Sequence, residues 1–254
     1  MGALSKLQPA VELSHRLRRS WMRREFSHRL VGTVRLGSER RLTPLSRRFG
    51  FDRGTPVDRW YIEDFLSRHA ARQQYALGDI RGRILEVGGS EYSRKFGDPA
   101  EGHLDVLHVD VSNAEATIVG DLESGSGVPE GVFDCIICTQ TLHVLYDIRS
   151  AVEHLHAALR PGGVVLATFP GITPRCTPDA DLWGDYWRLT SLSARRLFEE
   201  RFPAQHVRVE AYGNLRTAVA FLRGMTAEEL SRAELDLRDR DYEVLIAVRA
   251  AKVP

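Results

Sequence analysis

The stretch Arg83–Ile84–Leu85–Glu86–Val87–Gly88–Gly89–Ser90–Glu91–Tyr92 decides how this chain is read. Arg83–Val87 is a short, mostly apolar run bounded by glycines, as expected of a buried strand. The glycines that follow permit a tight turn and let a ligand approach the backbone closely. Twenty-two residues after Gly88 comes Asp110, closing the run Leu107–His108–Val109–Asp110. A carboxylate at that distance, at the end of the next strand, can accept from both hydroxyls of a ribose. Eleven residues further stands Asp121, just past Ile118–Val119. It can accept from an adenine amino group, while the neighbouring backbone N–H of Leu122 donates to the ring.

Outward from this stretch, apolar runs alternate with helical spacings. Strands are expected at Arg83–Val87, Val106–Val111, Ala116–Val119, Phe133–Thr139, Gly163–Phe169, His206–Tyr212 and Tyr242–Ala250. Helices are expected at Val57–Ala71, Ile148–Arg160 and Ser191–Phe202, the second stopping at Pro161–Gly162–Gly163. A helical insert with a capping-box pattern, Thr226–x–x–Glu229, separates the last two strands. Near-continuous apolar strands alternating with helices imply a parallel sheet covered on both faces. The expected class is α/β: a Rossmann-like, doubly wound, seven-stranded, mostly parallel sheet with a C-terminal antiparallel hairpin.

Charge divides the chain. Residues 1–50 carry Lys6 and eleven arginines against three glutamates, a net +9 in a chain whose total is +1, which leaves −8 for the rest. We therefore expect a basic N-terminal extension over residues 1–49 and a catalytic domain over 50–254. Leu4, Leu7, Val11, Leu17 and Trp21 approximate a helical stripe in the extension, suited to packing on the body or on a second subunit as a homodimer contact. An anionic membrane surface, a nucleic acid and an organellar transit role are the other readings of such an arm. No apolar stretch approaches the ~20 residues of a membrane span. Cys135 and Cys138 lie three apart on an expected strand and so face opposite ways, which disfavours a shared metal. No metal cluster is expected, and cysteine usage points to the cytoplasm.

With Gly88, Asp110, Asp121 and Pro161–Gly162–Gly163 in this order, residues 57–250 resemble the class I S-adenosylmethionine-dependent methyltransferases, especially the small type 11 enzymes. The resemblance implies that Glu86, Gly88, Gly89, Asp110, Asp121 and Leu122 form the cofactor site, with Thr139 at the end of the fourth strand. The usual G-x-G-x-G pattern is altered: Ser90 and Tyr92 stand where glycines are expected. Ser90 is small enough to hydrogen-bond the methionine portion. In the family the segment before the first strand covers that portion, so Tyr61 or Arg59 is a candidate to hold its carboxylate.

Methyl transfer is an in-line displacement in which the protein supplies alignment and, for some acceptors, a base. His143 follows the fourth strand and is the candidate base, with Gln140 beside it facing the acceptor. The run Asp181–Leu182–Trp183–Gly184–Asp185–Tyr186–Trp187–Arg188 follows the fifth strand, where a substrate lid can sit. Its Trp183, Asp185, Tyr186, Trp187 and Arg188 suit a polyhydroxylated or aromatic small molecule. Similar stretches occur in bacterial enzymes of glycan and natural-product biosynthesis, which implies O-methylation of a sugar or secondary metabolite. Three rivals stand beside this reading. A nicotinamide dehydrogenase lacks its G-x-G-x-x-G here. A non-catalytic Rossmann-like binding protein would explain the altered turn. A nucleic-acid methyltransferase would use the basic arm, but Thr139–Gln140–Thr141–Leu142 is not its usual N/D-P-P-Y motif.

Overall fold

Burial along one strand shows how the sheet is covered. In Phe133–Thr139 (β4), Cys135 and Ile137 join one apolar cluster, while Ile136 and Cys138 join the other. Successive side chains of a strand point to opposite faces, so both faces of β4 are buried and both need helices. The computed structural model describes residues 40–71, 78–98 and 102–253, and residues 43–254 form one compact unit. The expected helical stripe from Leu4 to Trp21 lies outside the described residues.

The other strands are β1 (Arg83–Val87), β2 (His103–His108), β3 (Ile118–Val119), β5 (Leu159–Pro170), β6 (Val207–Tyr212) and β7 (Leu245–Ala251). They form a seven-stranded sheet in the order β3-β2-β1-β4-β5-β7-β6. β1 to β5 run parallel, and β7 is antiparallel to both β5 and β6. This is the expected Rossmann-like sheet with its antiparallel C-terminal pair. On one face lie α1 (Val57–Ser67) and α6 (Leu215–Leu222), which bury Tyr61, Ile62, Phe65 and Phe221. The other face is covered by α3 (Ile148–Ala158) and α5 (Ser191–Glu199), through Val152, Leu155, Leu197 and Phe198. Three short α-helices also occur among the described residues: α2 (Glu91–Phe96), α4 (Thr177–Leu182) and α7 (Arg232–Asp236).

Most boundaries shift by a few residues from the sequence reading, and two of the shifts have identifiable reasons. β2 begins and ends three residues earlier than the apolar run suggests. Asp105 is buried inside it, paired with Arg83 Nε at 2.8 Å and accepting from Thr117 Oγ at 2.9 Å, so a charged residue occupies a core position. Val109 and Val111, apolar by type, are exposed beyond the strand. α3 stops at Ala158 because Leu159 already pairs with Phe133 as the first residue of β5.

The insert between β6 and β7 also fixes the lead-in to the domain. Leu45 N donates to Arg223 O at 2.7 Å, Phe49 packs on Phe221, and Pro56 bridges to Thr226. Residues 43–49, assigned to the basic extension by charge alone, thus pack on the body. The capping box at Thr226 forms as expected, and its Glu229 also takes Arg53 at 2.7 Å. Gly224 sits at φ +69°, and a Cβ there would lie 2.3 Å from Ser46 O. Gly224→Ala should therefore cost at least ~2 kcal/mol in urea unfolding, through backbone strain and loss of this lead-in contact. An unchanged midpoint would mean the contact does not order residues 43–56.

Candidate active site

A doubly wound sheet opens a crevice at the carboxyl ends of its strands where the strand order reverses. Here that point lies between β1, which is followed by β2 on one side, and β4, which leads to β5 on the other. Gly88 turns the chain off β1 at φ +89°, and its N–H donates to Leu107 O at 2.9 Å. A Cβ placed at Gly88 or Gly89 would meet nothing within 4 Å, so the turn faces open space.

Three cavities occupy that space and share lining residues. One of about 430 Å³ runs over Val87, Gly88, His108, Asp121, Leu122 and Trp183. A second, about 490 Å³, continues from Gly88 and Gly89 toward Arg59, Glu86, Tyr92 and Thr139. A third, about 410 Å³, lies on the far side of Gln140 and is lined by Asp58, Arg59, His143, Cys176, Asp179 and Arg188, with Arg47 and Arg48 at its edge. Gln140, shared by the first and third, is held at φ +48° with its N–H on Thr168 O at 3.1 Å. A non-glycine residue in the left-handed region costs roughly 1–3 kcal/mol and is tolerated where the surroundings fix it, commonly at functional sites.

The expected cofactor residues divide by what their side chains already do. Glu86 is buried, and its carboxylate accepts from Tyr92 N at 3.1 Å, Ser93 N at 2.7 Å and Ser93 Oγ at 2.5 Å. It ties the start of α2 to the end of β1. Ser90 is also buried, but its hydroxyl donates to Glu115 at 2.7 Å and lines none of the three cavities. Asp121 accepts from Glu123 N at 2.8 Å and Ser124 Oγ at 2.7 Å, and these bonds, Ser124's first, hold its carboxyl below the usual range. Asp110 stands half-exposed beside the His108 ring, accepting from Ser112 N at 2.8 Å. His108 and Val109, not Asp110 itself, line the first cavity.

Tyr61 is a correction. Its ring is fully buried between Trp60 and Tyr212, on the helix face turned into the core. Arg59, two residues earlier, lines the second and third cavities instead. The aromatic lid residues need a similar revision. Trp183 lines the first cavity and meets His108 edge-on at 5.7 Å. Trp187, however, donates Nε1 to Leu145 O at 2.9 Å and packs on the core, and Tyr186 stacks edge-on against Tyr146. Neither lines the three cavities, so these two anchor the loop.

Asp185, expected to face the acceptor, lines none of the three cavities and instead lies beside His143. The His143 side chain is 9 % exposed and that of Asp185 only 1 %, with Nε2 3.9 Å from the carboxylate. Asp185 is held by a two-pronged bond from Arg188, at 2.5 and 2.8 Å, and by Cys176 N at 3.0 Å. Burial pushes the His143 imidazole down to about 4, with Asp185 opposing only in part. His143 Nδ1 and Asp58 Oδ1 are both buried without a hydrogen-bond partner. Burial also raises the Asp58 carboxyl. A buried polar atom left unpaired costs about 1–3 kcal/mol; both residues line the third cavity, whereas the Tyr61 hydroxyl, also without a partner, lies in the core. Sequence reasoning missed Arg47, Arg48 and Asp179 as cavity residues. Only the fold brings residues 43–49 and the start of α4 to this edge.

Residues 66–165 match the family model of a methyltransferase domain. No curated protein matches the chain. Among solved structures, the chain is similar to an S-adenosylmethionine dependent methyltransferase from Mesorhizobium loti. The two share 14% identity over 77% of this chain and 98% of that one, with a TM-score of 0.50. It is also similar to the N-methyltransferase NodS from Bradyrhizobium japonicum, with 14% identity, 78% and 88% coverage and a TM-score of 0.47. It spans half the length of the CurJ carbon methyltransferase, with 17% identity over 70% of this chain and a TM-score of 0.45. The matched stretch runs from the end of α1 into β5, and the likeness to the solved structure from Mesorhizobium loti is a likeness of fold, the Rossmann-like sheet described above.

The turn itself can be tested. In Gly88→Ala the new Cβ meets no protein atom. The cost is therefore backbone strain, ~1–2 kcal/mol, together with a methyl group in the space a ligand would fill. Thermal melts should show that loss, and nucleoside binding should weaken at least tenfold. A variant that binds as tightly as the parent would remove the turn from the site.

Proposed function

We propose that this domain transfers a methyl group from S-adenosylmethionine to an oxygen of a small-molecule acceptor, a sugar or secondary metabolite. The observation that carries the reading is His143: buried, neutral, with one ring nitrogen unpartnered, and lining the cavity across Gln140 from the glycine turn. The open space above Gly88 and Gly89 fits an adenosyl group whose methionine end extends over Arg59 and Thr139. When bound, that group supplies a sulfonium methyl, the electrophile of an in-line displacement.

The chain's own residues do the rest. Asp121 and the Leu122 backbone hold the adenine, Asp110 takes the ribose from the rim beside His108, and Trp183 covers the base. Arg59 holds the carboxylate of the methionine end. His143 accepts the acceptor's hydroxyl proton as the oxygen attacks. Asp185, 3.9 Å from Nε2 and fixed by Arg188, stabilises the imidazolium that forms. Asp185 need not move, because Arg188 and Cys176 N already set its orientation. Among the described residues no group of metal-binding side chains and no helix able to cross a membrane is found. We place the protein in the cytoplasm, where the free thiols of Cys135, Cys138 and Cys176 would stay reduced. A homodimer contact through the basic extension remains our proposal for residues 1–42.

Two measurements test the assignment. Asp110→Ala and Asp121→Ala should each weaken S-adenosylhomocysteine binding about ten- to a hundred-fold in calorimetry, the worth of a hydrogen bond to a charged group. Equal affinity in both variants and parent would remove the ribose and adenine roles. His143→Ala should lower kcat by roughly 10²–10⁴ with cofactor affinity unchanged. The pH dependence has a defined sign. A His143 pKa near 4 keeps the base form populated above about pH 5, so kcat/KM stays level there and falls as pH drops through about 4. An exposed histidine would instead give a limb near pH ~6.5. A limb at that value in the parent, persisting in the variant, would exclude His143 as the base.

A further inference from the structure

The acceptor cavity carries more positive charge than its own acids neutralise. Four arginines line it, Arg47, Arg48, Arg59 and Arg188, against the carboxylates of Asp58 and Asp179. Arg188 is committed to Asp185. Arg59 sits in the field of Asp58 and the Tyr92 hydroxyl. Arg47 and Arg48 stand at the same cavity edge and form no ion pair within 4 Å among the described residues, although Arg48 lies in the field of the exposed Asp52.

Their position is built by the fold. Ser46 is buried, its hydroxyl accepts from Arg48 N at 3.0 Å and Gly50 N at 3.2 Å, and it donates to Asp52. Leu45 N and Ser46 N both reach Arg223 O, which ties this knot to the insert. The backbone carrying the two guanidinium groups is therefore fixed at the mouth of the cavity. Adjacent like charges repel one another there, and an oxyanion relieves that repulsion while taking charge-assisted, two-pronged bonds. The adenosyl cofactor itself carries a sulfonium charge, which strengthens the preference.

We infer that the acceptor is an anionic hydroxy compound, whose carboxylate or phosphate is bound by Arg47 and Arg48 while its hydroxyl faces His143. The inference rests on the methyl-transfer reading for the role of that hydroxyl, but the anion site is a property of this chain alone.

Calorimetry at constant ionic strength, with inorganic phosphate and with glycolate, tests it on the full chain. Each probe is titrated into free protein and into protein saturated with S-adenosylhomocysteine. At least one probe should bind, phosphate marking a phosphorylated acceptor and glycolate a hydroxy acid. Affinity should fall at least tenfold in the Arg47→Gln/Arg48→Gln double variant, whose exposed side chains leave the core intact. S-adenosylhomocysteine affinity should change less than twofold. If neither probe binds the free or the saturated protein, or if the double variant binds as the parent does, the anion site is wrong. Failure of S-adenosylhomocysteine to bind the parent overturns the methyl-transfer reading instead, and the titrations of free protein still decide the anion site.

Discussion

The buried carboxylate of Glu86 is the interaction on which the rest of this site depends. It stands at the carboxyl end of β1 and accepts three hydrogen bonds from the first turn of α2. The first N–H groups of a helix have no partner within the helix and are expensive to bury unpaired. Glu86 satisfies two of them from outside, and in doing so fixes where the chain goes after Gly88 and Gly89. The left-handed backbone of Gly88 sets the bend; Glu86 sets its direction. Together they leave the turn facing open space at the point where the sheet reverses.

Around that turn, polar groups fall into two sets. Those on the β2 and β3 side have local partners: Asp110 on Ser112, Asp121 on Glu123 and Ser124, Ser90 on Glu115. Their loops are shaped before any ligand arrives. Those on the far side of Gln140 include buried atoms with no partner among the described residues, His143 Nδ1 and Asp58 Oδ1, and two exposed arginines, Arg47 and Arg48, with no ion pair among those residues. Preorganisation on one side and unsatisfied groups on the other is the division expected between a cofactor that is held and an acceptor whose proton is moved. The Asp185–Arg188 pair joins the two tasks, since it fixes the lid loop and faces the buried histidine at once.

The third cavity also depends on parts of the chain far from the central strands. The segment from Thr43 to Pro56 is held by the insert between β6 and β7, through Arg223, Phe221, Thr226 and Glu229. Capping boxes at Asn214, Thr226 and Ser231 start the short elements of that insert and keep them in place without long helices. An insert that covers one face of the sheet thereby also delivers two arginines to the site's edge.

The sequence by itself determined the strand order's raw material: which runs are strands, that both faces are covered, where the glycine bend falls, and that His143 follows β4. Those features are local, because periodicity, turn residues and runs of apolar side chains are written in adjacent positions. A charged residue in the core defeated that reading at Asp105, since a buried carboxylate paired with an exposed arginine, Arg83, leaves no hydrophobic signature. Helical spacing already allowed Tyr61 to be buried; only the tertiary structure decided that Arg59, and not Tyr61, lines the cavities. Positions two apart on a helix lie on nearly opposite sides, and which side faces the sheet is set by packing. It alone decided that Trp187 anchors while Trp183 lines a cavity, and that Arg47 and Arg48 leave the basic extension for the site. Such juxtapositions join residues from tens to well over a hundred positions apart, and no local pattern encodes them.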